Sequence, residues 1–369
     1  MKTAFVFQHY PPFPGAGARR AKSIVSNYVG SVSSAPHKAV LLTTEREAKE
    51  PDVEIITFRY SKTGNKRVFI LRALEEFFLG LRVSLHIFFV GYDRVVLSSP
   101  SYLAAIPISI MLTLKKIPYV IELRDIYPES FLEAGLVNKG ALHYKALKMM
   151  SQHLYSKSQG ILCATEGLKR LLEPYRNLPK MDVVYNGFDA VNSGRSGKYD
   201  DFTVCFHGVL GVFQDIDGLV LIAEKLRELG ITLLVIGYGS KEDLIRSSPN
   251  INFLGKKSHE ETMEIISKCH VGLSLRSNDQ ISINSFPVKV WEYIGLGIPC
   301  IVSPLSEAGE FVESNQFGRQ VAFGDYDGVI KAIIDFKDSL DLEPSEYVRA
   351  MYSRERTGLA AAEKLAGYF

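Results

Sequence analysis

Two charged residues three positions apart carry the most specific chemistry in this sequence. Lys289 and Glu292 lie within Ser285-Phe286-Pro287-Val288-Lys289-Val290-Trp291-Glu292-Tyr293-Ile294-Gly295-Leu296-Gly297-Ile298-Pro299-Cys300-Ile301-Val302-Ser303. Pro287 closes a loop and opens a short helix, and Gly297-Ile298-Pro299 turns from that helix straight into an apolar strand. Backbone amides at a helix start, with the field of the helix behind them, suit a diphosphate. Lys289, in the first turn, adds a full positive charge at the same place. Glu292, one step along the same side, accepts two hydrogen bonds from a diol such as ribose. The plainer alternative is a capped helix with a solvent-exposed Lys/Glu pair.

Other chemistry-bearing residues are more ambiguous. Asp125 follows the apolar run Tyr119–Glu122, at a strand's carboxyl end, where open parallel sheets place their ligands. Helix capping within Asp125-Ile126-Tyr127-Pro128-Glu129 is the alternative, and the same choice applies to Glu129. Gly15-Ala16-Gly17-Ala18 has the wrong spacing for a dinucleotide fingerprint and no Walker lysine follows it. Gly15 and Gly17 would let a loop approach a ligand, with Arg19 and Arg20 meeting a phosphate of donor or acceptor; an ordinary strand-to-helix turn is equally open. Asp215-Ile216-Asp217 is formally a metal-binding DxD, but it opens an amphipathic helix, where acids favour the positive helix end. His9 and His207 are the two histidines at strand ends. Cys163, Cys205, Cys269 and Cys300 are scattered and form no CxxC pair, so reduced, mostly buried thiols are expected and no metal site.

The elements that must position these residues alternate between short β-rich runs and longer helical patterns, as parallel α/β units do. Strands are expected at Thr3–Phe7, Ala39–Thr43, Ile55–Phe58, Arg94–Ser98, Tyr119–Glu122, Gly160–Ala164 and Asp182–Tyr185. A second series runs Phe202–His207, Thr232–Ile236, Ile251–Leu254, Val271–Leu275, Cys300–Val302 and Gly318–Val321. Helices are expected after the Gly15–Arg20 loop, over Arg67–Phe89 and Tyr144–Lys157, and at Ile216–Leu229, His259–Lys268, Val288–Ile294 and Tyr326–Phe336. The Gly/Ser-rich stretch 192–198 reads as a linker. The division is therefore a domain over 1–191, the linker, a second domain over 199–345 and a terminal helix over 346–369 crossing back to the first. Two such α/β domains are expected to face each other across a cleft that holds the ligand.

Composition sets the class. The chain has 369 residues, 46% hydrophobic and 23% charged, which fits two ordinary globular domains. The longest apolar run, near Tyr102 to Leu114, is shorter than the roughly 20 residues a membrane span needs. The amino terminus lacks the long apolar stretch of a signal peptide, so a cytoplasmic location is expected. Net charge is +2, yet residues 1–190 carry 25 Lys and Arg against 16 Asp and Glu. A basic first half suits an anionic partner such as lipid headgroups at the inner face of the cell membrane, or a lipid-linked pyrophosphate. Nucleic acid is not expected, because the basic residues form no stripe interleaved with aromatics. The aromatics of Phe77-Phe78 and Ile87-Phe88-Phe89 read by default as core, with a membrane-facing edge as the alternative.

Taken together, the motifs resemble retaining glycosyltransferase family 4, of the GT-B fold. The matching pieces are the 285–303 segment, Tyr10-Pro11-Pro12-Phe13-Pro14-Gly15-Ala16-Gly17-Ala18-Arg19-Arg20, Glu122-Leu123-Arg124-Asp125-Ile126-Tyr127-Pro128-Glu129-Ser130, Val184-Tyr185-Asn186-Gly187-Phe188-Asp189, Phe206-His207-Gly208-Val209-Leu210-Gly211 and Val235-Ile236-Gly237-Tyr238-Gly239. The resemblance implies that Glu292 binds the ribose of a nucleotide sugar and Lys289 its diphosphate, with Pro287 opening their helix. His207 and Gly208 would lie against the phosphates, and Phe253-Leu254-Gly255-Lys256 would flank the base, Lys256 mainly through its backbone. Asp125 would orient the acceptor or stabilise positive charge on the donor ring.

Three departures from the family pattern stand out. Asn284 replaces an expected acid, and Val209 and Gln214 replace two loop cations; Lys289 and Arg276 are the nearest substitutes. The pattern resembles the subgroup that builds bacterial O-antigen and capsule repeats. The implied activity is transfer of a sugar, UDP-linked by expectation, to a polyprenyl diphosphate-linked or oligosaccharide acceptor, with retention and without metal or cofactor. A nucleotide-sugar epimerase on the same scaffold, or a non-catalytic nucleotide-sugar-binding scaffold protein, are the alternatives.

Overall fold

The computed structural model describes residues 1–32, 37–60, 69–99, 101–189, 197–338 and 346–369. They divide into two compact units, Met1–Asn186 with Arg354–Phe369, and Gly187–Ser353. Of the expected linker 192–198, residues 192–196 lie outside the described residues.

The first unit runs β1 (Lys2–Val6), α1 (Ala16–Val32), β2 (Lys38–Thr43), β3 (Val53–Thr57), α2 (Phe69–Val90), β4 (Arg94–Ser98), α3 (Tyr102–Lys115), β5 (Tyr119–Leu123), α4 (Glu129–Glu133), α5 (Leu142–Ser156), β6 (Gly160–Cys163), α6 (Glu166–Leu171) and β7 (Lys180–Val183). Its parallel sheet has the order β3-β2-β1-β4-β5-β6-β7. Every residue of β4 and β5 is buried, as expected of central parallel strands covered on both faces. Phe5, Leu41, Val96, Val120 and Leu162 from the sheet meet Ile24 and Tyr28 of α1 in one core.

The second unit runs β8 (Thr203–Val209), α7 (Ile216–Glu228), β9 (Thr232–Tyr238), α8 (Glu242–Ser247), β10 (Asn252–Phe253), α9 (His259–Ser267), β11 (Val271–Leu275), α10 (Gln280–Ile283), α11 (Val288–Leu296), β12 (Cys300–Ser303), α12 (Glu307–Ser314), β13 (Gly318–Gln320), α13 (Tyr326–Asp338) and α14 (Glu346–Met351). The sheet is again parallel, in the order β10-β9-β8-β11-β12-β13. The last helix, α15 (Arg354–Gly367), belongs to the first unit, where Ala361, Ala362 and Leu365 join the core beside α1. All four cysteines are buried free thiols.

One sequence expectation is corrected here. The α2 aromatics do not form core: Phe77, Phe78, Phe88 and Phe89 are exposed, and only Ile87 of that group is buried. The packed side of α2 is the narrow stripe Leu79, Val83 and Ile87. Gly80 fixes that side, because a Cβ there would collide with the Ala104 carbonyl of α3. The four aromatics, off the stripe, are turned outward. Among the described residues no helix is long and apolar enough to cross a membrane.

Candidate functional site

The chemistry-bearing residues of the second unit converge on the carboxyl end of β8. Helix α11 is anchored on one side by Trp291, fully buried between the rings of Phe286 (4.1 Å) and Tyr352 (4.9 Å). Three-residue spacing then puts Lys289 and Glu292 together on another side. The Lys289 ammonium donates to Gln214 Oε1 at 2.9 Å and stands 3.7 Å from the centre of the Phe206 ring. Its side chain is buried, so the exposed Lys/Glu pair considered from sequence is not what forms. No carboxylate among the described residues makes an ion pair with it. Burial first, then the charge of Arg276, pushes Lys289 well below the usual lysine pKa, with Glu292 opposing. Gly208 holds φ at +118°, a backbone open to glycine, and keeps the β8 end clear beside Lys289.

Glu292 is also buried and is bracketed by two histidines. His207 Nε2 lies 3.5 Å from one carboxylate oxygen and His259 Nδ1 lies 3.7 Å from the other. His259 in turn stands 4.0 Å from Asp189 through Nε2. Sequence reasoning misses His259. The capping box Ser258/Glu261 marks it as the first residue of a helix, but nothing in the spacing links it to Glu292.

Other expected donor residues have more local roles. Pro287 is the N-cap of α11, and its carbonyl already accepts the Val290 amide at 3.0 Å. Arg276 bridges Gln214 through backbone and donates to Ser282 Oγ at 3.3 Å. Asn284 caps the end of α10 and donates to the Gln280 carbonyl at 2.9 Å. Lys256 is exposed, with its ammonium 4.9 Å from the Tyr238 ring centre. Asp215 caps α7 by accepting from the Gly218 amide, while Asp217 pairs with Lys241 at 2.8 Å. Both acids of the DxD are therefore engaged with their own helix and its neighbour.

In the first unit, a buried carboxylate organises the loops at the ends of β4 and β5. Glu122 accepts from Arg20 Nε at 2.7 Å and Ser98 Oγ at 2.8 Å, and Arg124 Nε lies 3.2 Å away. Burial raises its pKa, but Arg124 and Arg20 outweigh that and hold Glu122 below the usual carboxylate value. Arg20, expected to meet a phosphate, is instead buried and bonded to Glu122 and to the Val184 carbonyl at 2.8 Å, because its position on α1 aims it into the sheet. Arg19 is half-buried in the first turn of α1. Arg124 also stands beside the glycine loop: a Cβ on Gly17 would collide with its Nη1, and Gly15 is strongly positive in φ. Arg124 escapes a sequence reading because only its β-strand neighbours suggest where it points.

Asp125 sits half-buried in the bend after β5, where the Arg124 and Asp125 amides both donate to Ser99 Oγ, at 2.9 and 3.2 Å. The N-cap of α4 is Pro128, so Asp125 does not cap that helix. Glu129 is tied to Lys148 and accepts from the Tyr175 hydroxyl at 3.2 Å, which fastens α4 to α5. His9 stacks on Phe13 at 3.9 Å with Nδ1 3.6 Å from Glu45.

Comparison with known proteins identifies the class. The chain is similar to WaaG, a glycosyltransferase involved in lipopolysaccharide biosynthesis, with TM-score 0.70 and 14% identity over 99% of this chain and 100% of that one. It is similar to HepE of Anabaena, solved with UDP and glucose, with TM-score 0.68 and 15% identity over 100% and 98% of the two chains. UDP-GlcNAc 2-epimerase of Neisseria meningitidis, bound to UDP-GlcNAc, matches at TM-score 0.56 and 13% identity over 100% and 99%. These likenesses establish the fold: two parallel-sheet α/β units of the GT-B kind. No curated protein matches the chain. Residues 201–338 match the family model Glycosyl transferases group 1, so the second unit carries a glycosyltransferase domain.

Proposed function

We propose that this protein is a retaining, metal-independent glycosyltransferase that moves a sugar from a UDP-linked donor onto a lipid-linked glycan at the cytoplasmic face of the cell membrane. The product would be a bacterial surface polysaccharide of the O-antigen or capsule kind. The single observation that carries the reading is the buried Lys289 ammonium, which has an amide oxygen and a ring face for company and lies beside the buried carboxylate Glu292. A lysine disfavoured as a cation by its surroundings is favoured as one when a diphosphate arrives. WaaG and HepE supply the analogy for a glycan product and a UDP-linked donor.

In this reading Lys289, with Gln214 steadying it, neutralises the charge that develops on the departing diphosphate, the kind of term that dominates such catalysis. Glu292, fixed between His207 and His259, takes the ribose hydroxyls. The bond from the sugar's anomeric carbon to the diphosphate breaks as the acceptor oxygen bonds that carbon on the same face. The acceptor proton passes to the departing phosphate oxygen. Asp125 in the first unit positions the acceptor or stabilises the positive ring.

The test is incubation of the purified protein with a panel of UDP-sugars and a polyprenyl diphosphate glycan, with the product's anomeric configuration read by NMR. Transfer with retention, undiminished by EDTA, is expected. An inverted product, or activity lost to EDTA and restored by manganese, overturns the corresponding part. Epimerisation of donor without acceptor would mark an epimerase, and donor binding without transfer a scaffold.

A further inference from the structure

We propose that the exposed apolar face of α2 and α3 is the surface by which the first unit seats itself, shallowly, in an anionic lipid bilayer. Phe78, Leu85 and Phe89 of α2 and Leu114 of α3 are each more than half exposed, Phe89 at 79% and Leu114 at 78%. A groove of about 470 Å³ between the two helices is lined by Phe77, Leu81, Phe88, Pro107, Ile110 and Leu114. Scattered surface hydrophobes are ordinary, whereas a contiguous two-helix patch marks an interaction site.

The charges around the patch choose the partner. Arg82 on α2 and Lys115 and Lys116 at the end of α3 are all exposed. Lys115 extends its ammonium over the Phe88 ring at 3.7 Å, so a cation stands at the rim of the aromatic surface. Basic side chains beside aromatics and leucines are what an interfacial helix presents to acidic headgroups. A second copy fits less well, because a two-fold interface would face these cations with their own images. The lipid partner deepens the proposed function, whose acceptor is lipid-linked, while the choice of this surface and of anionic lipid rests on exposure and charge.

The test uses the full chain with vesicles of phosphatidylcholine alone or mixed with phosphatidylglycerol. The wild type should co-sediment with the mixed vesicles, and Leu85→Glu/Phe89→Glu should weaken that binding at least about tenfold. UDP affinity, which belongs to the second unit, and melting temperature should both be unchanged. Phe89→Trp keeps an aromatic and adds a reporter to the single native Trp291, which is fully buried in the second unit. Its emission should shift to the blue on mixed vesicles and be quenched by brominated acyl chains.

Undiminished binding by the double variant, or an emission spectrum of Phe89→Trp that mixed vesicles leave unchanged, overturns the assignment of this face while leaving membrane contact standing. A wild type that ignores both vesicles overturns membrane docking, even if glycosyl transfer to a solubilised acceptor succeeds. A wild-type dimer that the double variant converts to monomer gives the face to a second copy instead. Vesicle binding without transfer sinks the proposed function and not this surface.

Discussion

Each unit buries charge at the carboxyl end of a central strand, but the two do so on opposite terms. In the first, Glu122 is answered by Arg20, Arg124 and Ser98, and its carboxyl is held below the ordinary value. In the second, Lys289 is answered by an amide oxygen and a ring face, and its ammonium is held well below the ordinary value. A buried ion that is paired stabilises a fold's local geometry, whereas one that is under-compensated opposes folding and gains by binding its counter-ion. The contrast separates a scaffold cluster from the one proposed to bind the diphosphate.

The comparison breaks most readily at Glu122. Glu122→Ala leaves two guanidiniums beside the sheet without their carboxylate and should cost about 3–5 kcal/mol of stability, measured by denaturant unfolding. A loss under about 1 kcal/mol would show that the cluster is not what locks the β4 and β5 loops. The next effect is in the second unit and runs the other way. Lys289→Ala should lower turnover by about two orders of magnitude, and turnover within about threefold of wild type would remove Lys289 from the diphosphate role. Lys289→Met fills the same space without a charge, so the ligand-free protein should melt about 1–3 °C higher while UDP stabilises it less. A lower melting point in Lys289→Met would mean the ammonium supports the fold, and the two units would then be alike.

The alternating strands are legible in the sequence because buried parallel strands leave runs such as Val95–Leu97 and Leu233–Ile236 that need no partner to be seen. Helix α3 is not, since its residues are apolar nearly all round and interrupted by Pro107, so that no period separates helix from strand. Lys289 and Glu292 are legible because both sit on one short helix. Their companions Phe206, Gln214 and His259 come from three other places along the chain, and only the folded sheet brings them together. Arg20 misleads for a related reason. Its neighbours in sequence are a glycine loop, but its neighbours in space are Glu122 and Val184. Phe78 and Phe89 mislead because hydrophobicity says that a residue prefers cover, not that the helix has cover to offer on that side.

The smallest expected effect sharpens the contrast from within the first unit. Glu76 on α2 borders a cavity of about 180 Å³ with Arg72, Tyr102, Tyr127 and Phe131. Burial pushes its carboxyl up to about 7, although Arg72 and the Leu103 backbone pull the other way. The first unit thus also holds one under-compensated group. Because its folded pKa lies above its unfolded one, the folded chain keeps a proton that the unfolded chain has already released. Its contribution is fully present below about pH 4.5, and it is lost as the pH rises towards about 7. Glu76→Gln cannot release that proton, so its melting temperature should gain on the wild type steadily between about pH 5 and pH 8. A difference that stays flat across that range would mean that Arg72 compensates Glu76 in full. Glu76 would then be paired as Glu122 is, and the contrast with Lys289, the proposed diphosphate ligand, would widen.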